Sequence, residues 1–560
     1  MNKIYFPQYK KEKEGLAFKK GLSILDYLKE SGIEINAECG GNGKCGKCRV
    51  RIEKGKENLN ELTKSEQSFS LAFNERLACQ AVVAKNKEDI VVFIKESGKY
   101  EILTESLAPN RTCSPACQSF AGRGLGLKLN PSTILKDNRV VCDGETLDDY
   151  KGKIYGLAVD VGTTTLVFEI VNLQTPIKST GQAGEIVKTI AKTNPQIAYG
   201  GDVISRIEYA IVGERKLVYR TVQEIEIKIK ELQKCVIDRI NESLKELDIM
   251  PYIYEAVIVG NSTMRNIFFG LDIFSLGLRP YEPVHKEPIV RTAEELGLNI
   301  FPKAKVYGAS LIGGHAGADA LADIIASGIY KNAKPSMLID IGTNGEVILG
   351  NSKRLISATL AAGGAYEGAN VSSGTGAIEG AIKNIKIENG KAIYETIGDK
   401  EPIGICGSGL IDLLAELLRC GIMDKSAKIK EDFKVTDKIK LTQSDIYQLV
   451  NAKASLKTDQ IILLKHYGID VKDLDKIYLS GGFGNYINVK NAIKIGLLPD
   501  AEDKIVKIGN GALAGAREML FSKEARKTSE EIAKKIEHTK PNELEKDFNN
   551  LVADNMYFED

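Results

Sequence analysis

Tryptophan is absent from this 560-residue chain and histidine occurs only four times, which argues against histidine-centred metal or acid–base chemistry. An excess of charge is missing too: Lys and Arg total 76 against 75 Asp and Glu, a net of +1. The chain therefore lacks the basic footprint of a nucleic-acid or polyanion binder. No N-terminal stretch reads as a signal peptide, and no apolar run is long enough to cross a bilayer. The expectation is a cytoplasmic protein with neither nucleic-acid nor membrane partner, whose thiols stay reduced. Hydrophobic residues at 43% suffice for real cores, and the length allows about three or four domains. Charge runs such as the one at Lys10 and the stretch from Lys523 to Lys546 read as solvated faces.

Against these absences stand ten cysteines. Cys39, Cys45, Cys48 and Cys79 are spaced C-x5-C-x2-C-x30-C, with the first three in Cys-Gly-Gly-Asn-Gly-Lys-Cys-Gly-Lys-Cys. Thiolates at such spacing hold an iron–sulfur cluster or a structural zinc. Glycine favours the cluster. Gly40, Gly41, Gly43 and Gly46 permit φ > 0, which a chain wrapped tightly around a cluster needs, whereas zinc ribbons show two short knuckles. Leu22 to Ser31 reads as a short amphipathic helix, and the segments from Arg49 and Asp89 read as strands. This order resembles plant-type and adrenodoxin-type [2Fe-2S] ferredoxins, with the x5 gap nearer the adrenodoxin branch. The resemblance implies a β-grasp domain with Cys39, Cys45, Cys48 and Cys79 as cluster ligands. Cys113, Cys117, Cys142, Cys235, Cys406 and Cys420 read as free thiols; a second cluster at Cys113, Cys117 and Cys142 would need a ligand from elsewhere.

Residues 96–152 mix Pro, Gly, Ser and Asn and read as a linker with some structure of its own. Then the character changes at Ile154-Tyr-Gly-Leu-Ala-Val-Asp-Val-Gly-Thr-Thr-Thr-Leu-Val, where two β-rich runs flank a tight turn. The pattern returns at Met337-Leu-Ile-Asp-Ile-Gly-Thr-Asn-Gly-Glu-Val, placing Asp340 180 residues after Asp160. Each copy predicts a hairpin whose turn offers backbone N–H groups and hydroxyls to phosphate, with an aspartate at the strand end for Mg²⁺ or its water. The phosphate-facing residues are then Gly162, Thr163, Thr164 and Thr165 in one copy and Gly342, Thr343, Asn344 and Gly345 in the other. A third cluster, Ser480, Gly481, Gly482 and Phe483, ends an apolar strand and lets backbone approach a flat ligand. Gly407, Ser408 and Gly409 open a helix, a ready anion or ribose site. Glu367 lies in a further glycine-rich loop that reads either as a plain turn or as a wall of the cleft.

The three motifs, in this order, resemble the phosphate-1, phosphate-2 and adenosine motifs of the actin-like ATPase superfamily of sugar kinases and acetate kinase. Small-residue helices from Gly308 and Gly509 fit its interlobe connections, where helices shear as a cleft opens. Fused to a ferredoxin, this ATPase resembles the reductive activators of corrinoid proteins. More specific strings support that resemblance: Asn194-Pro-Gln-Ile-Ala-Tyr-Gly-Gly-Asp-Val-Ile-Ser-Arg-Ile, Val259-Gly-Asn-Ser-Thr-Met and the run from Asp340. Asn266 and Gly364 depart from the family pattern, which bears on partner preference. Asp202 and Arg206 read as an interlobe or helix pair.

The resemblance implies a multidomain α+β and α/β chain. Its parts are a ferredoxin domain (1–95), a linker region (96–152), a first ATPase lobe (153–335), a second lobe (336–530) and a charged C-terminal extension (531–560). It further implies ATP, Mg²⁺ and a [2Fe-2S] cluster as cofactors, with Asp160 and Asp340 as catalytic residues and Gly481 and Gly482 beside adenosine. The activity implied is ATP-dependent one-electron reduction of Co(II) to Co(I) on a corrinoid protein of an anaerobe's methyl-transfer system. A low-potential external donor and a homodimer come with it. Two rivals are an activator of radical dehydratases, which shares one cluster between subunits, and a redox-sensing ATP-dependent binding protein.

Overall fold

The computed structural model describes residues 2–9, 15–69, 71–94, 130–174, 185–213, 218–342, 344–360, 364–368, 370–482 and 486–559. They fall into two units, residues 1–100 with 194–228, and residues 101–193 with 229–560. Cys113, Cys117, Thr343 and Phe483 lie outside the described residues. Among the described residues no helix is long and apolar enough to cross a membrane.

In the first unit, β1 (Lys3–Tyr5), β2 (Leu16–Ala17), β3 (Arg49–Lys54), β4 (Glu75–Leu77) and β5 (Ile90–Ile94) form one sheet in the order β2-β1-β5-β3-β4. β1 and β5 run parallel, while β3 opposes β5. The helix Ile24–Glu30 starts at Ser23, whose side chain and that of Asp26 cap each other's backbone N–H. It buries Ile24, Leu25, Tyr27 and Leu28 against Ile4, Val50, Ile52 and Val92. This is the β-grasp of a ferredoxin.

The segment 194–228, read from sequence as part of the first ATPase lobe, packs with this ferredoxin. Gly201 N–H donates to Glu38 O at 2.6 Å, and Lys29 Nζ sits 4.4 Å over the Tyr199 ring. Asp202 caps the helix Val203–Ile211 through Ser205 N–H, and buried Arg206 donates to Gly200 O at 2.9 Å and Gln196 Oε1 at 3.0 Å. The two residues therefore brace the Tyr199-Gly200-Gly201 turn.

The second unit opens with a small meander of β6 (Thr133–Lys136), β7 (Arg139–Cys142) and β8 (Glu145–Asp149) within the region read as a linker. Next come β9 (Tyr155–Val161), β10 (Thr165–Asn172), β11 (Glu185–Thr193), β12 (Ile253–Val259), β13 (Ile289–Thr292) and β14 (Lys305–Gly308), in the order β11-β10-β9-β12-β14-β13. A second large sheet is built from β15 (Ser336–Ile341), β16 (Gly345–Gly350) and β17 (Leu355–Leu360). After the small strands β18 (Ala381–Glu388), β19 (Lys391–Thr396), β20 (Gly404–Ile405), β21 (Phe433–Lys434) and β22 (Lys440–Leu441), it is completed by β23 (Ile477–Ser480), β24 (Ile505–Gly509) and β25 (Glu537–Thr539). Its order is β24-β23-β15-β16-β17-β25.

The two large sheets share one plan. In each, the first three strands form an antiparallel meander, and two later strands run parallel to the first on its other side. The internal repeat seen as two Asp-Gly-Thr turns is thus a repeat of five strands, the sixth (β13 or β25) joining opposite edges of the two sheets. Between them, Ala318–Ser327 and Gly511–Phe521 pack so closely that a Cβ on Gly515 would fall on Ala322 O. The stretch 531–560, read as a charged extension, is built into this unit. β25 pairs with β17, Phe558 is buried, and buried Lys453 donates to Asn555 O and Tyr557 O.

Candidate functional site

Two sites emerge, one in each unit. In the first, Cys39 Sγ lies 3.5 Å from Cys45 Sγ, and Cys48 Sγ lies 3.4 Å from Cys79 Sγ. Gly40, Gly41, Gly43 and Gly46 all take positive φ, between 60 and 92°. A side chain would be strained at each, and a Cβ on Gly40 would come within 2.8 Å of Tyr199 O. The hydrogen bond with Cys45 lowers the Cys39 thiol to about 5, and that with Cys48 lowers Cys79. Lys44 N–H donates to Cys39 Sγ and Gln80 Nε2 to Cys79 Sγ, at 3.4 and 3.5 Å. One thiol of each pair is thereby readied as thiolate.

The fourth cysteine is placed by a buried ion pair. Arg76 donates from Nε and Nη2 to both oxygens of Glu66 at 2.7 and 3.0 Å, and to Asn60 O at 2.9 Å. Glu66 also accepts Leu77 N–H at 3.0 Å, and Ala78 N–H reaches Cys48 O at 2.7 Å. The strand leading to Cys79 is thus tied to the loop bearing Cys48. Among the described residues no three His, Cys, Asp or Glu converge as a single metal ion requires. Thiols standing two and two fit a two-iron cluster better than one tetrahedral zinc.

The second site lies where the two hairpins of the repeat face one another. Asp160 ends β9 and Asp340 ends β15, and the Asn510 amide donates to Asp160 Oδ2 at 2.9 Å. Thr164 Oγ1 donates to Glu367 Oε2 at 3.2 Å, so Glu367 is a wall of the cleft. The Thr163 hydroxyl accepts from Asn261 at 3.0 Å. Gly481 takes φ 126° directly beneath Asp340: a Cβ there would stand 2.7 Å from Ile341 O and 3.2 Å from Asp340 Oδ1. Nothing crowds Gly482, which leaves backbone open to a ligand. Gly342 N–H donates to Asn344 O at 3.1 Å, which closes the second turn onto Gly345 at the start of β16.

Three further acids join that sequence reasoning had not assigned. Asp319 and Asp323 lie one helical turn apart on Ala318–Ser327, and Glu346 pairs directly with Asp340 across β15 and β16. Acids four residues apart on an otherwise apolar helix were the available signal. Burial, and then their mutual charge, pushes Asp160, Asp319 and Asp340 up to about 7, and raises Asp323 and Glu346 well above the usual range. Asp323 Oδ1 accepts the Ser480 hydroxyl at 2.7 Å, but among the described residues no N–H or O–H donor reaches buried Asp323 Oδ2, Asp340 Oδ1 or Glu346 Oε1, and the Asp323 and Asp340 carboxyls meet one another. Such oxygens fit a hard divalent cation.

Gly407, Ser408 and Gly409 do begin the helix Gly407–Arg419. The Ser408 hydroxyl is buried and spent on Lys383 O at 2.7 Å, leaving only backbone to offer a ligand.

Known proteins match along the whole chain. Residues 10–84 match the 2Fe-2S iron-sulfur cluster binding domain, residues 155–332 the RACo middle region, and residues 334–560 the C-terminal domain of RACo, the ASKHA domain. The corrinoid activation enzyme RamQ of Eubacterium limosum is 32% identical over 571 residues, covering 90% of each chain. The Co(II) methylated amine-specific corrinoid protein reductase of Methanosarcina barkeri is 26% identical over 420 residues, 68% of this chain and 73% of that one. A solved structure, the reductive activator for corrinoid,iron-sulfur protein, superposes with a TM-score of 0.68 at 28% identity, covering 100% of this chain and 98% of that one.

Proposed function

We propose, for a chain that belongs to the family of corrinoid activation enzymes, that it uses ATP to drive one-electron reduction of a corrinoid protein from Co(II) to Co(I). The observation that carries this reading is the conjunction, in one chain, of a two-and-two thiol set and a cleft of crowded, buried carboxylates. Cys39 with Cys45 would hold one iron and Cys48 with Cys79 the other. The cluster supplies a single electron at a low potential, near roughly −400 mV for plant-type ferredoxins.

The cleft explains why nucleotide must arrive with metal. Burial, then one another's charge and that of Glu367, raise the proton affinity of Asp160, Asp319, Asp323, Asp340 and Glu346, and a cleft so lined with carboxylates would repel a bare triphosphate. Asp340 and Asp323 would hold a Mg²⁺, which would supply the positive charge that lets phosphate oxygens approach these carboxylates. Gly162 to Thr165 and Gly342 to Gly345 then present backbone and hydroxyl donors to the phosphates, and Gly481 and Gly482 flank adenosine. Asp160, oriented by Asn510, holds the attacking water.

Cobalt(I) in a corrinoid is a strong reductant, and each 100 mV of uphill transfer costs about 2.3 kcal/mol per electron. Nucleotide-driven lobe closure can supply one or two such increments only by favouring a complex in which Co(II) is easier to reduce. ATP therefore acts on recognition, not on phosphorylation of a substrate. A dehydratase-type activator shares its cluster between two subunits; here four thiols gather in one unit. A cytoplasmic homodimer serving a methyl-transfer system and fed by an external low-potential donor completes the proposal. The test is anaerobic: with a Co(II) corrinoid protein, a low-potential donor and MgATP, the Co(II) absorption should disappear. Persistence of Co(II) beside a spectroscopically intact cluster would contradict the reading.

A further inference from the structure

Two of the four histidines, His315 and His538, line a cavity of about 480 Å³ in the second unit that the mechanism above does not use. Arg279, Tyr281, Thr359 and Lys540 line it as well. Its size suits a small ligand. Among the described residues, buried His315 Nδ1 and Thr359 Oγ1 have no hydrogen-bond partner, so two polar groups are left for whatever enters. Burial holds both imidazoles in their neutral form, His538 down to about 4, with Ser357 Oγ 3.1 Å from His538 Nδ1. The positive charge of the cavity therefore comes from Arg279 and Lys540. Two acids stand nearby, and both are engaged: Glu282 pairs with Lys286 at 2.6 Å, and exposed Glu543 stands 3.9 Å from Lys540. The lining keeps a positive excess, with imidazole and hydroxyl donors beside it.

The cavity adjoins the acidic cleft by two routes. Thr359 pairs with Glu346 across β16 and β17, and Glu346 pairs with Asp340 across β15 and β16. Directly paired residues share a face, which puts Thr359 two strands, roughly 10 Å, from Asp340. His315 precedes Asp319 by four residues on the chain segment that enters the cleft helix. Arg279 and Tyr281 of the lining are exposed, so the cavity is open to solvent. The cavity thus lies beside the acidic cleft, with Thr359 on the sheet that carries Asp340.

We propose that this cavity binds a phosphate-sized oxyanion, gripped by Arg279, Lys540, His315 and Thr359, and that it receives the inorganic phosphate formed in the cleft. The second half rests on the nucleotide reading above. In that hydrolysis a water oxygen joins the γ-phosphorus as its bond to ADP breaks, yielding ADP, inorganic phosphate and a proton. A guanidinium and an ammonium are the side chains suited to hold such a product.

Calorimetric titration of the full-length protein with inorganic phosphate, and separately with ADP, tests both halves. The Arg279→Ala/Lys540→Ala variant should bind phosphate on the order of tenfold or more weaker, with ADP affinity unchanged. Failure of the wild-type protein to bind phosphate, or equal binding by the variant, overturns the anion site. Failure to bind ADP would count against the nucleotide reading while leaving the phosphate titration to decide the cavity. Whether the anion is product or simply drawn from solution is read from a single turnover of ATP. Faster phosphate release from the variant supports the product role, and release unchanged from wild type overturns it.

Discussion

At the thiol site each sulfur stands within 3.5 Å of another, backbone or amide donors reach two of them, and a buried arginine fixes the strand that brings the fourth. In the cleft, by contrast, no N–H or O–H donor among the described residues reaches three of the carboxylate oxygens, and the strongest influences on the acids are burial and one another. The first site is organised by its own protein contacts. The second is held in a state of electrostatic frustration that only a cation relieves. On the function proposed above, that difference would separate the roles: one site would keep a resident group in place, and the other would gain free energy when MgATP arrives.

Removing a ligand from the self-contained site should have the largest effect. Cys45→Ala is expected to abolish corrinoid reduction and the visible spectrum of the cluster while leaving MgATP affinity unchanged, as read by calorimetry. Next comes the cleft: Asp340→Ala should lower ATP-dependent reduction on the order of a hundredfold or more, with the visible spectrum intact. If either substitution abolished both the visible spectrum of the cluster and MgATP binding, the two sites would not be separable as described.

The support of the fourth cysteine sets a third expectation. Arg76→Ala leaves the Glu66 carboxylate buried without its partner, which costs about 3–5 kcal/mol of stability in chemical denaturation. A Glu66→Gln change alongside it should restore part of that loss.

The smallest effect concerns pH and sharpens the contrast. Asp160, Asp319 and Asp340 titrate near 7 in the fold and near 3.8 when unfolded, so the folded protein binds more protons between those values. Their contribution to stability is present below the unfolded value and is lost as pH rises through about 7. Without metal, the melting temperature should therefore fall by a few degrees between about pH 6 and 8, and Mg²⁺ with nucleotide should flatten that slope. A slope of opposite sign would remove the case for frustrated acids.

How much of this was readable in sequence follows the same division. The cysteine loop was legible because cluster ligation is local: three ligands and four glycines lie within ten residues. The repeat was legible because Asp160 and Asp340 sit in near-identical hairpins, and the sheets around them share a five-strand core order. Asp319, Asp323, Glu346 and Asn510 were not assigned, since they come from helices and a strand whose local pattern speaks only of packing. The attachment of 194–228 to the ferredoxin was equally hidden. It depends on Gly201 meeting Glu38 and on Lys29 meeting Tyr199, contacts between segments that no local periodicity announces.

The central claim is that MgATP in the acidic cleft governs delivery of the electron held at the thiol site. Its most direct test is the amount of Co(I) formed on a corrinoid protein at one fixed donor potential, with and without MgATP. Substantial Co(I) only when MgATP is present is the predicted result; equal Co(I) with and without nucleotide would contradict it.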